Sequence, residues 1–223
     1  MATHLVTGAN RGIGLSLSQR LAARGDAVVA VCRQASEALA ATGARIIEGV
    51  DVCDAAAVAS LPEALGTQRI DGLWLNAGVF TSETLDALDA AAFARMQRQF
   101  EVNTLGPLRV AAALQSRLAE RARIGIITSR MGSVSDNGSG GYYGYRASKA
   151  AVNAIGKSLA VDLAPRGIAV FLLHPGRVAT DMLGGHGDIG PDEAAAQLIA
   201  RMDGLTFADS GSFWHANGTP LPW

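Results

Sequence analysis

The chain has 223 residues, of which 49% are hydrophobic, and a formal net charge of −1. That length suits one α/β domain, and the charge balance gives no electrostatic reason to expect nucleic acid or an anionic membrane as partner. An apolar strand and a glycine turn fill the first residues, where a secretory leader needs a basic start and an apolar run, and no apolar stretch reaches spanning length. A cytoplasmic location is the expectation. Cys32 and Cys53 are isolated and read as reduced thiols. The histidines (His4, His174, His186, His215) show no ligand spacing, so no metal is expected.

In chain order, His4-Leu5-Val6 leads into Thr7-Gly8-Ala9-Asn10-Arg11-Gly12-Ile13-Gly14, and Ile13, Leu17 and Leu21 then recur at helical spacing up to Gly25. This is strand, glycine turn, helix. Glycines let the backbone approach a phosphate, and the helix N-terminus offers free N–H groups to it. The spacing is Gly-x-x-x-Gly-x-Gly, distinct from the commoner dinucleotide fingerprint. Further strands are expected at 27–32, 45–50, 71–76, 124–129, 168–173 and 211–215, and helices at 13–24, 54–65, 90–119, 144–164 and 191–202. Most of the strands are continuous apolar runs, as in a parallel sheet buried on both faces. Alternating strand and helix predicts a doubly wound α/β fold, Rossmann-like, in a single domain over residues 1–223.

Chemistry-bearing residues fall at the strand ends. Asn76-Ala77-Gly78 closes the fourth strand, as a turn or as the floor of a site. Asn103 interrupts a long helical stretch, which marks a role or a kink because Asn is a mediocre helix former. Ser129 ends the fifth strand and reads equally as a cap, a turn residue or a catalytic hydroxyl. His174-Pro175-Gly176 closes the sixth. Between Ser129 and the next helix lies a glycine- and serine-rich stretch, where an open α/β sheet places its ligand crevice. Tyr145 and Lys149 stand four apart on one helical face. A free phenol titrates at about 10, and a neighbouring cation is expected to lower that value and make proton transfer possible.

Taken in order, Thr7-Gly8-x-x-x-Gly12-Ile13-Gly14, Asp51, Asn76-Ala77-Gly78, Asn103, Ser129, Tyr145-x-x-x-Lys149 and Pro175-Gly176 resemble the short-chain dehydrogenase/reductase superfamily, in its single-domain branch. The stretch from Gly140 to Lys149 and the tail from Gly211 to Trp223 look like the C-factor and sniffer carbonyl reductase branch. The resemblance implies an NAD(P)-dependent enzyme transferring hydride between cofactor and a carbonyl or alcohol. Tyr145 matches the acid/base and Ser129 the group that hydrogen-bonds the substrate oxygen. Lys149 matches the lysine that lowers the tyrosine pKa and binds the nicotinamide ribose, and Asn103 the asparagine holding a relay water. Thr7, Gly8, Gly12, Ile13 and Gly14 match the pyrophosphate loop, with Asn10 and Arg11 inside it. Asp51, with Val52 beside it, matches the adenine contact; Asn76, Ala77 and Gly78 match the stretch beside the adenosine ribose. Pro175, Gly176 and Thr180, with Val178 between them, match the nicotinamide end. Ser129 and Tyr145 are farther apart than is usual in the family; Ser133 and Ser135 compete with Ser129, and Tyr142 and Tyr143 crowd Tyr145, but only Tyr145 has a lysine four residues on.

NADP(H) is expected over NAD(H). The second strand ends Val31-Cys32-Arg33, with no acid until Glu37. NAD-choosing enzymes tend to place a carboxylate there, whereas Arg33 and Arg11 suit a 2′-phosphate. Substrate contacts are expected from Val79, Phe80, Arg130, Met131, Tyr142, Tyr143, Arg177, Met182 and Leu183, and residues 180–190, with four glycines, read as a lid. Alanine-rich stretches in the helices at 90–119 and 144–164 predict a homodimer or homotetramer. Two other functions stand beside the reductase: a cofactor-bound signalling protein of the C-factor type, and a dehydratase or epimerase, for which the chain lacks a substrate domain.

Overall fold

The computed structural model describes Met1–Trp223. Seven strands form one parallel sheet: β1 Thr3–Thr7, β2 Ala27–Val31, β3 Arg45–Ile47, β4 Ile70–Leu75, β5 Leu118–Ile127, β6 Ala169–His174 and β7 Phe213–His215, in the order β3-β2-β1-β4-β5-β6-β7. The helices are α1 Gly12–Ala23, α2 Glu37–Ala40, α3 Ala55–Ala59, α4 Leu61–Leu65, α5 Ala90–Phe100, α6 Gly106–Leu114, α7 Tyr143–Leu163 and α8 Pro191–Gly204. The order reverses between β1 and β4. The crevice outside the carboxyl ends of the strands opens there.

Alternate residues on each strand face opposite sides of the sheet, and both sides are covered. Leu5, Val29, Leu73, Ile124 and Val170 enter one core with α3, α4, α6 and α7. Val6, Ala30, Trp74 and Phe171 enter the other with α1 and α8. Each Val, Leu, Ile or Phe side chain buried in this way contributes roughly 1.5–3 kcal/mol, and together they hold the strand ends that carry the site.

Several boundaries depart from the sequence reading. The long helix expected at 90–119 breaks into α5, a π turn at Glu101–Leu105, and α6. Pro107 has no N–H to give the Asn103 carbonyl, and the helix widens ahead of it. β5 then begins at Leu118, inside the expected helix, and ends at Ile127; its pairing with β4 jumps from Ile70–Leu118 to Gly72–Arg123 across a bulge in which Arg121 takes a φ of 61°. The helix expected at 54–65 divides at Ser60, β3 stops at Ile47, and the one-turn α2 was not expected.

Candidate active site

The turn after β1 is built for close approach. Gly8 and Gly12 have φ of 66° and 53°, which glycine adopts without penalty. At Gly14 a Cβ would lie 2.2 Å from the Gly8 carbonyl oxygen and 2.5 Å from Asn76 Nδ2. The loop thus folds over the first turn of α1, whose N-terminus stands open at Gly12. Thr7 and Gly14, expected in the cofactor site, are buried and do not line the cavity. The Thr7 hydroxyl accepts from Asn76 N (3.0 Å) and Ala77 N (3.2 Å) and donates to Trp74 O (3.3 Å). It ties β1 to β4 and is 2% exposed. Gly8, Asn10, Arg11, Gly12 and Ile13 line a cavity of about 900 Å³, together with Asn76, Ala77 and Gly78.

One end of this cavity reaches Arg33, Asp51 and Val52. Arg33 is exposed and forms no ion pair. Asp51 accepts from Cys53 N (2.9 Å) and pairs with Arg98 (3.0 Å); burial opposes ionisation, but these partners hold the carboxyl below its usual range. Arg11 reaches over the opening to Asp181 (3.4 Å), where both side chains are largely exposed. Glu48, following β3, accepts from Ala35 N and does not line the cavity.

The other end holds Ser129, Tyr145 and Lys149, with Pro175, Gly176, Val178 and Thr180 on the facing wall. Lys149 is buried; its Nζ donates to Ile127 O (2.9 Å) and lies 5.7 Å from the centre of the Tyr145 ring. Burial lowers its pKa to about 8. The same effect acts on Tyr145 in the opposite direction: crowding pushes the phenol up to about 12, and the Ser129 hydroxyl beside it offsets this only in part. The expectation that Lys149 lowers the phenol pKa is therefore not met in the protein alone. Burial disfavours the charged phenolate, and the Lys149 ammonium is directed at a backbone carbonyl. Ser133 and Ser135 are used elsewhere. Ser133 accepts from Asp136 N (3.2 Å), Ser135 donates to Trp223 O (2.7 Å), and neither lines the cavity.

Asn103 stands behind the cavity wall. Its Nδ2 donates to Val79 O (2.9 Å) and Ser148 Oγ (3.1 Å), and its Oδ1 accepts from Val79 N (2.8 Å). The π turn delivers this amide to the gap between the segment after β4 and α7. Of the expected substrate contacts, Val79, Phe80, Arg130, Met131, Tyr142, Arg177, Met182 and Leu183 line the cavity. Tyr143, the first residue of α7, does not line it and is 36% exposed. Phe80 packs edge-on against Tyr145 (4.9 Å between centroids) and stacks on Tyr142 (5.9 Å).

Two further residues at or behind the cavity were given no role by the sequence. Glu83, 2% exposed, accepts at its carboxylate from Thr81 Oγ1 (2.6 Å), Gln99 Nε2 (3.1 Å) and Gly144 N (3.1 Å), and at its carbonyl from Tyr142 N (2.8 Å). It caps the N-terminus of α7 from a segment 61 residues away, and it holds Tyr142 in a left-handed conformation, φ 55°, that a bulky side chain rarely adopts. An isolated Glu in a loop announces none of this. His174 lines the cavity and stands edge-on to His215 at 4.8 Å. Burial, then His215, Arg130 and Lys149, push its pKa down to about 3, and its Nδ1 has no hydrogen-bond partner.

A glycine turn at a helix N-terminus, a long cavity across the switch point of a parallel sheet, and a Ser–Tyr–Lys set at its inner end define a dinucleotide-dependent oxidoreductase. The chain belongs to the short-chain dehydrogenase family, whose model matches residues 2–188. It is 44% identical over its whole length to the 1-hydroxy-2-glutathionyl-2-methyl-3-butene dehydrogenase of Rhodococcus sp. (strain AD45), which it covers completely. It is 42% identical to the C-signal of Myxococcus xanthus over 70% of this chain and 95% of that one. Among solved structures, the carbonyl reductase Sniffer of D. melanogaster superposes with a TM-score of 0.89 at 30% identity, both chains fully covered. An NADPH-bound carbonyl reductase from chicken fatty liver gives 0.87 at 30% identity, over 100% of this chain and 99% of that one. No helix is long and apolar enough to cross a membrane.

Proposed function

We propose that the protein is an NADP(H)-dependent carbonyl reductase, working on a carbonyl/alcohol pair at Ser129 and Tyr145. One observation carries this reading: a single cavity joins the unpaired Arg33 to the buried Tyr145–Lys149 pair. The bound dinucleotide supplies the hydride. Ser129 and Tyr145 donate to the carbonyl oxygen as charge develops on it, and Tyr145 then yields its proton as general acid. A phenol held at about 12 is protonated at neutral pH and ready to donate, while Lys149, at about 8, remains mostly charged. Asn103 acts as a positioning residue, since its amide is occupied by Val79 and Ser148. Arg33, with Arg11 across the glycine turn, would hold the 2′-phosphate. Residues 180–190 would close over the substrate, with Asp181 latching onto Arg11, and α5 and α7 would pair copies of the chain.

The test is NADPH oxidation with a panel of aldehydes, ketones and quinones, and the reverse reaction with alcohols; the Rhodococcus relative is named for a hydroxyl-bearing glutathionyl compound. The reading requires turnover with kcat/KM for NADPH about ten-fold or more above that for NADH, a difference of about 1.4 kcal/mol, and a selective loss with NADPH in Arg33→Ala and Arg11→Ala. Equal or better efficiency with NADH would refute the cofactor assignment. Similarity to the C-signal favours a second reading, a cofactor-bound signalling protein with little turnover. Tight NADPH binding with no turnover across the panel would favour that reading; the intact proton-transfer set favours the first.

A further inference from the structure

The end of the cavity beside Tyr145 carries positive charge that a dinucleotide does not account for. Seven Arg or Lys side chains line the whole cavity against three Asp, in a chain of net charge −1. Arg11 and Arg33 lie on the β1–β2 side of the switch point, where the glycine turn is. Arg130, Arg146 and Arg177 lie on the other side, following β5 and β6 or within α7.

Arg146 is the centre of this group. Its Nη1 donates to Met131 O (3.4 Å) and its Nη2 to Ser139 Oγ (2.8 Å), both neutral acceptors. Its Nε is buried and has no acceptor. Met131 N in turn donates to Ser129 Oγ (3.1 Å), so this guanidinium grips the same turn that fixes the Ser129 hydroxyl. Arg130 is committed to Asp136, which also feels the charge of Arg146; one carboxylate thus serves two cations. Arg177 meets Asp188 only at 3.7 Å, with both side chains mostly exposed. A partly buried guanidinium that only shares a counter-charge bound to another arginine is under-compensated, and its planar fork matches a carboxylate. Phe80, which packs against Tyr145 and Tyr142, and Met131, whose carbonyl accepts from Arg146, give the same cavity apolar lining.

We propose that the substrate of this site carries a carboxylate beside an apolar body, and that Arg146, with Arg177, receives that carboxylate. This rests on the carbonyl reductase reading above. The probes are 4-formylbenzoate and its methyl ester, reduced by the wild-type protein with NADPH. The ester is the more electrophilic aldehyde, so a preference for the acid reports binding. The expected result is a kcat/KM at least ten-fold higher for the acid, carried mainly in KM and narrowing as salt is added. Arg146→Gln should lower the value for the acid at least ten-fold more than for the ester, and Arg146→Lys should restore part of the difference. NADPH affinity, followed by fluorescence titration, reports that each variant is folded. Equal efficiency for the two probes, or an Arg146→Gln variant that loses both alike, would overturn the proposal and leave the reductase reading standing. Failure of the wild type to oxidise NADPH with either aldehyde would overturn that reading, and the proposal with it.

Discussion

Lys149 gives its ammonium to the Ile127 carbonyl at the end of β5 and is buried there, with its pKa lowered to about 8 from 10.5. Its folded-state pKa lies below the unfolded one. Between those two values the unfolded chain binds the extra proton, so stability rises with pH across that window. At neutral pH both states hold the proton, and the folded state bears the full cost of a buried charge. Lys149→Met removes that cost. Urea unfolding at steps from pH 7 to 10 should show the wild type gaining on the order of 1–3 kcal/mol relative to Lys149→Met; parallel curves would contradict the burial account. The Tyr145–Lys149 pairing was legible because a four-residue spacing on a helix fixes a common face. The direction of the phenol's shift was not, because desolvation depends on what packs around the helix, and spacing is silent on that. Thr7 shows the same limit. The motif marks it, but only the structure shows that its hydroxyl is consumed in joining β1 to β4.

The glycine turn and α1 were readable as elements because their glycines are demanded by backbone contact, as at Gly14. The one-turn α2 was not, since four residues are too short to display a helical period; Ser36 caps it by accepting from Leu39 N at 3.2 Å. The π turn at Glu101–Leu105 was only half legible: Asn103 looked out of place in a helix, and the widening places its amide between Val79 and Ser148. α7, which carries Tyr145 and Lys149, takes its start from Glu83. Replacing Glu83 by Gln sets an NH₂ group against one of three donors, Gly144 N, Thr81 Oγ1 or Gln99 Nε2, while keeping side-chain volume. Tyr145 is one residue beyond Gly144, so the first turn shifts and kcat should fall about ten-fold, roughly 1.4 kcal/mol of transition-state stabilisation. KM for NADPH should change little, because the glycine turn is remote in the fold. An unchanged kcat with a lowered melting temperature would make Glu83 a structural residue only.

At the scale of the whole molecule, the α/β alternation in the sequence was enough to specify the doubly wound sheet. Seven parallel strands alternate with helices and reverse order between β1 and β4. The family resemblance named residues on both sides of that reversal, but that one continuous cavity joins them depends on strands far apart in sequence and shows only in the fold. Phe93 (52%) on α5 and Val161 (63%) on α7 are exposed, as is Leu105 (37%) in the turn between α5 and α6. These apolar side chains, on two helices packed together, predict self-association. Light scattering at micromolar concentration should give a multiple of the 23.0 kDa chain mass, and a monomer would reject this pairing.

The central claim is that Tyr145 gives the proton in an NADPH-fed carbonyl reduction. It is tested most directly by Tyr145→Phe, measured for turnover with an aldehyde that the wild type reduces and for NADPH affinity by fluorescence. The ring remains in contact with Phe80 and only the donor is lost. The account predicts a kcat lower by about 10²–10⁴ with NADPH affinity within about two-fold of wild type, a difference of less than about 0.5 kcal/mol. A variant that keeps near-normal turnover would contradict it.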